Sequence, residues 1–298
     1  PAGVIYTHHP LLLHLHVAGF FVVFGEHEWA GRLVPVIYTL LSGLMIVVIA
    51  RRHWGPWVAV SALAVFALQP IVLIYGNMID HEQGGIFWSL VMLWAYLRWF
   101  DSRRWRDFAL FLFGTSMGGQ FDWPPYYLAF FLAVHLTLAG VRASGSRPRR
   151  SRLERIGWMS EYSYVALYSF VVLVNFFGYF AWIYSLTGSF ADMTHSFSLR
   201  AGPMTSMWSG IAAKAPLMMH PGSMALAMLW LGLWVLRAGR GGMRLRDLVP
   251  WCFFVMQVLH HAVFKNAASL HIYWFYYAAP FVAFGAGIML VDMGSVLR

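Results

Sequence analysis

Four short segments hold the residues able to do acid–base or charge-stabilising chemistry. The first is Tyr6-Thr7-His8-His9-Pro10-Leu11, continued by Phe24-Gly25-Glu26-His27-Glu28-Trp29-Ala30-Gly31-Arg32-Leu33. The second is Tyr75-Gly76-Asn77-Met78-Ile79-Asp80-His81-Glu82, and the third is Asp122-Trp123-Pro124-Pro125. The fourth runs from Lys265-Asn266 to His271-Ile272-Tyr273-Trp274. Asp80 and Glu82 are carboxylates that can take a proton from a hydroxyl. His8, His9, Arg32, Lys265 and His271 can stabilise growing negative charge, and His81, Asp122 and Tyr273 stand in the same segments. A lone acid at a helix end usually solvates a turn; Glu26 and Glu28 read that way, shaping the turn before Arg32. His14, His16 and His135 read as packed or interfacial, whereas His260-His261 lie in an apolar run, where ionisable groups lean towards function. Asp80, Glu82, His8, His9 and His81 also offer oxygen and nitrogen ligands to a divalent ion. The spacing of a helical two-histidine zinc site is absent, so no metal ligands are assigned.

The elements that position these segments belong to a chain of 298 residues that is 60% hydrophobic and 11% charged. A soluble domain carries about 25% charged residues, because charge covers its surface; here the solvent over most of the length must be lipid. The single cysteine, Cys252, lies in an apolar run and supports neither a disulfide framework nor a thiolate metal site. A bilayer span needs about 20 mostly apolar residues. Runs near that length are 32–50, 56–75, 84–100, 124–140, 160–183, 250–265 and 273–293, with shorter ones at 108–121 and 222–237. Residues 11–24 are apolar but short and contain His14 and His16, which reads as an interfacial helix. The expectation is an all-α polytopic bundle of about nine spans in a single transmembrane domain over 1–298.

Charge orients the stack. Arg51 and Arg52, Arg103, Arg104 and Arg106, the run from Arg142 to Arg155, and Arg237, Arg240, Arg244 and Arg246 fall in alternate gaps between the spans. Basic loops stay cytoplasmic, which makes 141–157 a basic cytoplasmic loop touching anionic lipid. The net charge of +9 follows from this arrangement and implies no nucleic acid. The opposite face carries Glu26, Glu28, Asp80, Glu82, Asp122, Asp192 and most of the histidines. It comprises an external interfacial segment over 1–31 and a long external loop over 185–221. All four chemical segments therefore share one membrane surface.

The order His-His-Pro-Leu, Phe-Gly-Glu-His-Glu-Trp-Ala-Gly-Arg-Leu and a span ending Arg-Arg resembles bacterial membrane glycosyltransferases of families 39 and 83. These are the protein O-mannosyltransferases and lipid A aminoarabinose transferases. The segments Tyr75–Glu82, Asp122-Trp123-Pro124 and His271-Ile272-Tyr273-Trp274 continue the resemblance in order, over roughly residues 5 to 290. It implies a C-type glycosyltransferase fold in a bacterial inner membrane, with a site facing the periplasm or exterior. The donor it implies is a polyprenyl-phosphate-linked sugar and the acceptor a protein or glycolipid. In this family an acidic motif supplying the catalytic base follows an initial span ahead of the segment matching His8-His9-Pro10. Neither lies within residues 1–298, so an N-terminal span upstream of Pro1 is expected, or the base has been lost. Relatives often have a lysine and two prolines at this position, where the lipid phosphate is contacted; this chain has His8, His9 and Pro10.

A sugar on a polyprenyl phosphate already carries a good leaving group, so no nucleotide pocket or further cofactor is needed. The reaction needs a carboxylate to deprotonate the acceptor, for which Asp80 and Glu82 are the catalytic candidates. Donors to hold the phosphate are also needed; His8, His9, Arg32, Lys265 and His271 are the candidates, with His81, Asp122 and Tyr273 beside them as further substrate- or phosphate-binding residues, and arginine is best shaped for a bidentate grip. The transition state is oxocarbenium-like, as in glycoside cleavage. The leading expectation is an inverting glycosyltransferase. The alternatives are a non-catalytic membrane scaffold subunit of the same fold in a larger complex, or a transporter of lipid-linked sugars. A transporter is expected to show internal repeats, and no convincing repeat is found.

Overall fold

The computed structural model describes residues 8–145, 152–202, 207–240, 244–268 and 270–296, with side chains over 142–161 and 203–208 left aside. Among these the chain is helical: α1 (Leu12–Phe24), α2 (Glu28–His53), α3 (Pro56–Ala67), α4 (Pro70–Tyr75), α5 (Glu82–Ser102), α6 (Trp105–Phe121) and α7 (Pro124–Gly145). There follow α8 (Arg152–Thr187), α9 (Ala191–Ala201), α10 (Met207–Met218), α11 (Pro221–Ala238), α12 (Leu248–Val263), α13 (Lys265–Ala268) and α14 (Ala279–Val296). Five apolar stretches are long enough to cross a bilayer, at Glu28–His53, Pro124–Val141, Tyr162–Thr187, Pro221–Ala238 and Ile272–Val296. Outward-facing Leu40, Leu44, Phe170, Leu173, Phe177 and Leu236 are exposed, as lipid solvation requires. The chain is a polytopic helical membrane protein.

Every apolar run in the sequence is helical, and two depart from a continuous span for a physical reason. The run 56–75 divides into α3 and α4 because Pro70 cannot donate to a helical carbonyl and holds Gln69 extended, at ψ 132°. Gln69 then bridges the break: its Nε2 donates to Val65 O at 3.0 Å and its Oε1 accepts the His220 N–H at 2.9 Å. The run 273–293 begins as a 3-10 helix, Ile272–Ala278, ahead of Pro280, and the Ala279 N–H bonds Tyr276 O. Its continuation α14 is buried from Ala279 to Met289 and forms the central pillar, packed against α3, α11 and α12.

The segment over 185–221, expected as an external loop, contains α9 and α10. No residue of α9 is buried. Its polar composition conceals a surface helix whose apolar residues, Met193 and Phe197, turn inward to a groove. Of the expected basic loop over 141–157, residues 146–151 lie outside the described residues; those before it end α7 and those after it begin α8.

Candidate active site

The four chemical segments meet where α1, α4–α5, α6–α7 and the 3-10 helix converge. Their meeting point is a cavity of about 440 Å³ lined by His9, His14, Asp80, His81, Glu82, Arg200, His271, Tyr273 and Trp274 among others. A second, apolar groove of about 360 Å³ lies beside it, walled by His8, Trp123, Tyr126, Tyr127, Phe176, Phe180, Phe197 and Phe264. Arg200 lines both.

The His8-His9-Pro10 segment is held through its backbone carbonyls. His8 O accepts the Trp123 indole N–H at 2.8 Å, and His9 O accepts the Tyr179 hydroxyl at 2.9 Å. This places His9 Nδ1 2.9 Å from Asp122 Oδ1. The same carboxylate accepts the Trp123 N–H at 2.8 Å, and its other oxygen accepts the Tyr277 hydroxyl. Burial alone would raise the Asp122 carboxyl, but the charge and hydrogen bond of His9, with His81 and His260 nearby, hold it below the ordinary carboxylate range.

Asp80 and Glu82 follow a tight turn after α4, so the first residue of α5 is Glu82 and its N-cap is His81. Asp80 Oδ1 accepts the His81 N–H at 2.9 Å. Burial, with the nearby Asp122 charge, raises the Asp80 carboxyl, although that hydrogen bond works against the shift. Glu82 shares a side-chain hydrogen bond with Asp80, and its Oε2 is buried without a partner among the described residues. No basic side chain bridges this pair at ion-pair distance among the described residues.

The His81 ring stacks on His9 with centroids 4.5 Å apart and planes at 14°. Its Nδ1 lies 2.9 Å from Phe121 O. Burial, reinforced by the charge of His9, pushes its pKa down to about 3. Across the cavity His271 Nδ1 is 2.6 Å from the Tyr273 hydroxyl. Burial, then the charges of Arg200, His9 and Lys214, lower its pKa.

Two glycines set the width between these walls. A Cβ on Gly84 would overlap the Phe121 ring, and one on Gly85 would lie 2.9 Å from the Tyr277 hydroxyl.

Of the residues singled out in the sequence, His9, Asp80, His81, Glu82, His271 and Tyr273 line the cavity and Asp122 buttresses it from behind. His8 faces the apolar groove and pairs with Asp192 at 3.1 Å. Arg32 lies outside both cavities because Glu28, one turn earlier, captures it at 2.8 Å. Lys265 opens α13, is exposed, and lines neither space. His14, which reads as packed or interfacial in the sequence, lines the cavity. His260 is buried against Trp274, ring centroids 4.3 Å apart, with both ring nitrogens unpartnered among the described residues. Arg200 was not singled out; the signal available was an arginine on the histidine-rich face, inside a segment that reads as loop. Among the described residues no three His, Cys, Asp or Glu side chains converge as metal ligands would.

The helical membrane bundle matches the C-type glycosyltransferase fold. The chain belongs to the dolichyl-phosphate-mannose-protein mannosyltransferase family, whose sequence profile matches residues 8–174. Its fold is similar to ArnT from Cupriavidus metallidurans bound to undecaprenyl phosphate, with a TM-score of 0.66 and 15% identity, over 98% of this chain and 53% of that one. The apo state of the same protein gives a TM-score of 0.63 at 15% identity, over 98% of this chain and 52% of that one. The chain thus spans about half the length of these structures. No curated protein matches it.

Proposed function

We propose that the chain moves a sugar from a polyprenyl-phosphate donor to an acceptor hydroxyl, with inversion, at the non-cytoplasmic face of a bacterial inner membrane. The observation that carries the reading is the junction at Arg200, where an oily groove meets a polar cavity. An amphipathic donor needs such a junction: isoprenoid in the groove, phosphate at the guanidinium, sugar in the cavity. Arg200 has the charge and fork geometry for a phosphate, and His271 stands on the same wall. Asp80 and Glu82 face them and are suited to orient the acceptor hydroxyl. The acceptor is a protein or glycolipid reaching the cavity from the aqueous side. Sidedness rests on the arginines gathered at the other end of the bundle. The fold likeness makes undecaprenyl phosphate the first carrier to test. The scheme routes no step through a metal.

The test is sugar transfer by the full chain in nanodiscs, using synthetic polyprenyl-phosphate donors bearing different sugars and hydroxyl-bearing peptide and glycolipid acceptors. Transfer that is insensitive to EDTA and gives the inverted anomer is expected. A folded wild-type chain that is inert with every donor and acceptor would overturn the reading in favour of a scaffold subunit.

A further inference from the structure

Arg200 stands at the junction of groove and cavity, on a helix that has little of its own to hold it there. α9 has 11 residues and none of them is buried. Isolated helices below about 12–15 residues are marginal in water, so its place depends on ties to other elements. The last four carbonyls of a helix have no partner inside it. Leu199, next to Arg200, is one of these, and the α-helical donor to its carbonyl would be the N–H four residues on. That residue is Pro203, which has no N–H to give.

Asn266 supplies the donor. Its Nδ2 gives a hydrogen bond to Leu199 O at 2.6 Å. Gly202 keeps this end of the helix open, since a Cβ there would crowd Ser198 O at 3.1 Å. Asn266 belongs to α13, whose Ala267 O accepts the His271 N–H at 2.9 Å. One short helix therefore holds the turn of Arg200 through Asn266 and the backbone of His271 through Ala267, and both side chains line the cavity. The other side-chain tie of α9, from Asp192 to His8 at 3.1 Å, lies at its first turn. It is about two turns from Arg200 and leaves the last turn to Asn266.

We propose that Asn266 is the positioning residue of the phosphate grip: by closing the last turn of α9 onto α13, it sets Arg200 beside His271 so that one phosphate meets both. The proposal rests on the transferase reading above, in which Arg200 takes the carrier phosphate. Asn266 lines neither cavity and acts through Arg200. The Lys265-Asn266 segment thus contributes its amide to the site, while its lysine stays exposed.

The test is a double-mutant cycle between Asn266→Ala and Arg200→Ala, made in the full chain in nanodiscs. Two ligands are titrated by tryptophan fluorescence: undecaprenyl phosphate, and undecaprenol, which has the same chain and no phosphate. Asn266→Ala is expected to weaken undecaprenyl phosphate binding about three- to tenfold, the scale of one neutral hydrogen bond, and to leave undecaprenol at its wild-type affinity. On the Arg200→Ala background it is expected to add no further loss, because residues that act as a unit are not additive. Equal losses for both ligands, or losses that add across the cycle, would make Asn266 a general prop of the groove and overturn the proposal. Weakened phosphate binding in Arg200→Ala but not in Asn266→Ala overturns the proposal alone and leaves the transferase reading standing. Wild-type phosphate binding in Arg200→Ala removes the phosphate from this arginine, and that part of the reading falls together with the role given to Asn266.

Discussion

At the arginine-rich end of the bundle, Arg98 reaches Asp107 at 3.0 Å while its guanidinium lies over Trp94, and Ser102 donates to the same carboxylate at 2.7 Å. Arg103 covers Trp99, Arg52 reaches Asp101 at 3.4 Å, and Arg246 lies over Trp54 while donating to His53 O. At the opposite end, Asp80 and Glu82 meet each other and backbone, and Arg200 lines the same cavity without an ion pair to them. The ingredients are alike and their use differs. The paired charges of the first end lock a helix junction. The carboxylates and guanidinium that line one open cavity without pairing leave room for a charged ligand, which is what the proposed function requires.

The comparison breaks most decisively at Asp80. Asp80→Asn keeps volume but removes charge, and transfer is expected to fall on the order of 10²-fold with the protein still monodisperse on gel filtration. The same group predicts a pH profile. Its raised pKa means the proton is retained to a higher pH than in an ordinary aspartate. Transfer dependent on ionised Asp80 is therefore lost as pH falls through that raised value, earlier on acidification than an unperturbed carboxyl would give. A rate independent of pH across this window in wild type would assign Asp80 a structural role.

Arg200→Ala comes next. Losing one charge-assisted contact of about 1.5–3 kcal/mol should weaken undecaprenyl phosphate binding by roughly ten- to a hundredfold, measured by fluorescence titration. At the other end, Asp107→Asn should lower the thermal midpoint through a loss on the order of 1 kcal/mol and leave transfer per folded molecule unchanged. Arg32→Ala should do least. Its i,i+4 pair with Glu28 is exposed and worth about 0.3–0.5 kcal/mol, and Arg32 borders neither cavity, so rate and midpoint should both stay near wild type.

The sequence made the membrane fold legible because lipid solvation writes itself into composition, and the alternation of arginines identified which loops share a face. It also made the second segment legible, since Asp80, His81 and Glu82 are bound to one turn and cannot be far apart. Geometry that depends on side-chain reach was not legible. Arg32 and Lys265 share the right face, yet the first is captured by an acid one turn away and the second is exposed on α13. Arg200 was hidden for the converse reason: α9 is polar enough to read as loop, and only its packing over the apolar groove gives its arginine a place. The placement of His81 and Asp122 depends on hydrogen bonds between segments 40 or more residues apart, such as His81 to Phe121 O and His9 to Asp122. Such pairings leave no local spacing to detect.

The pair Gly84-Gly85 has a consequence for how this cavity tolerates change. Neither residue offers a functional group, yet the missing Cβ at each lets α5 lie close against Phe121 and Tyr277. A methyl at either point works as a wedge. At Gly84 it would push Phe121, and with it the carbonyl bonded to His81 Nδ1; at Gly85 it would press on the hydroxyl that steadies Asp122. In a saturation library these two chemically silent positions should be as intolerant as the carboxylates, because they act as the gauge blocks between two walls that must not drift.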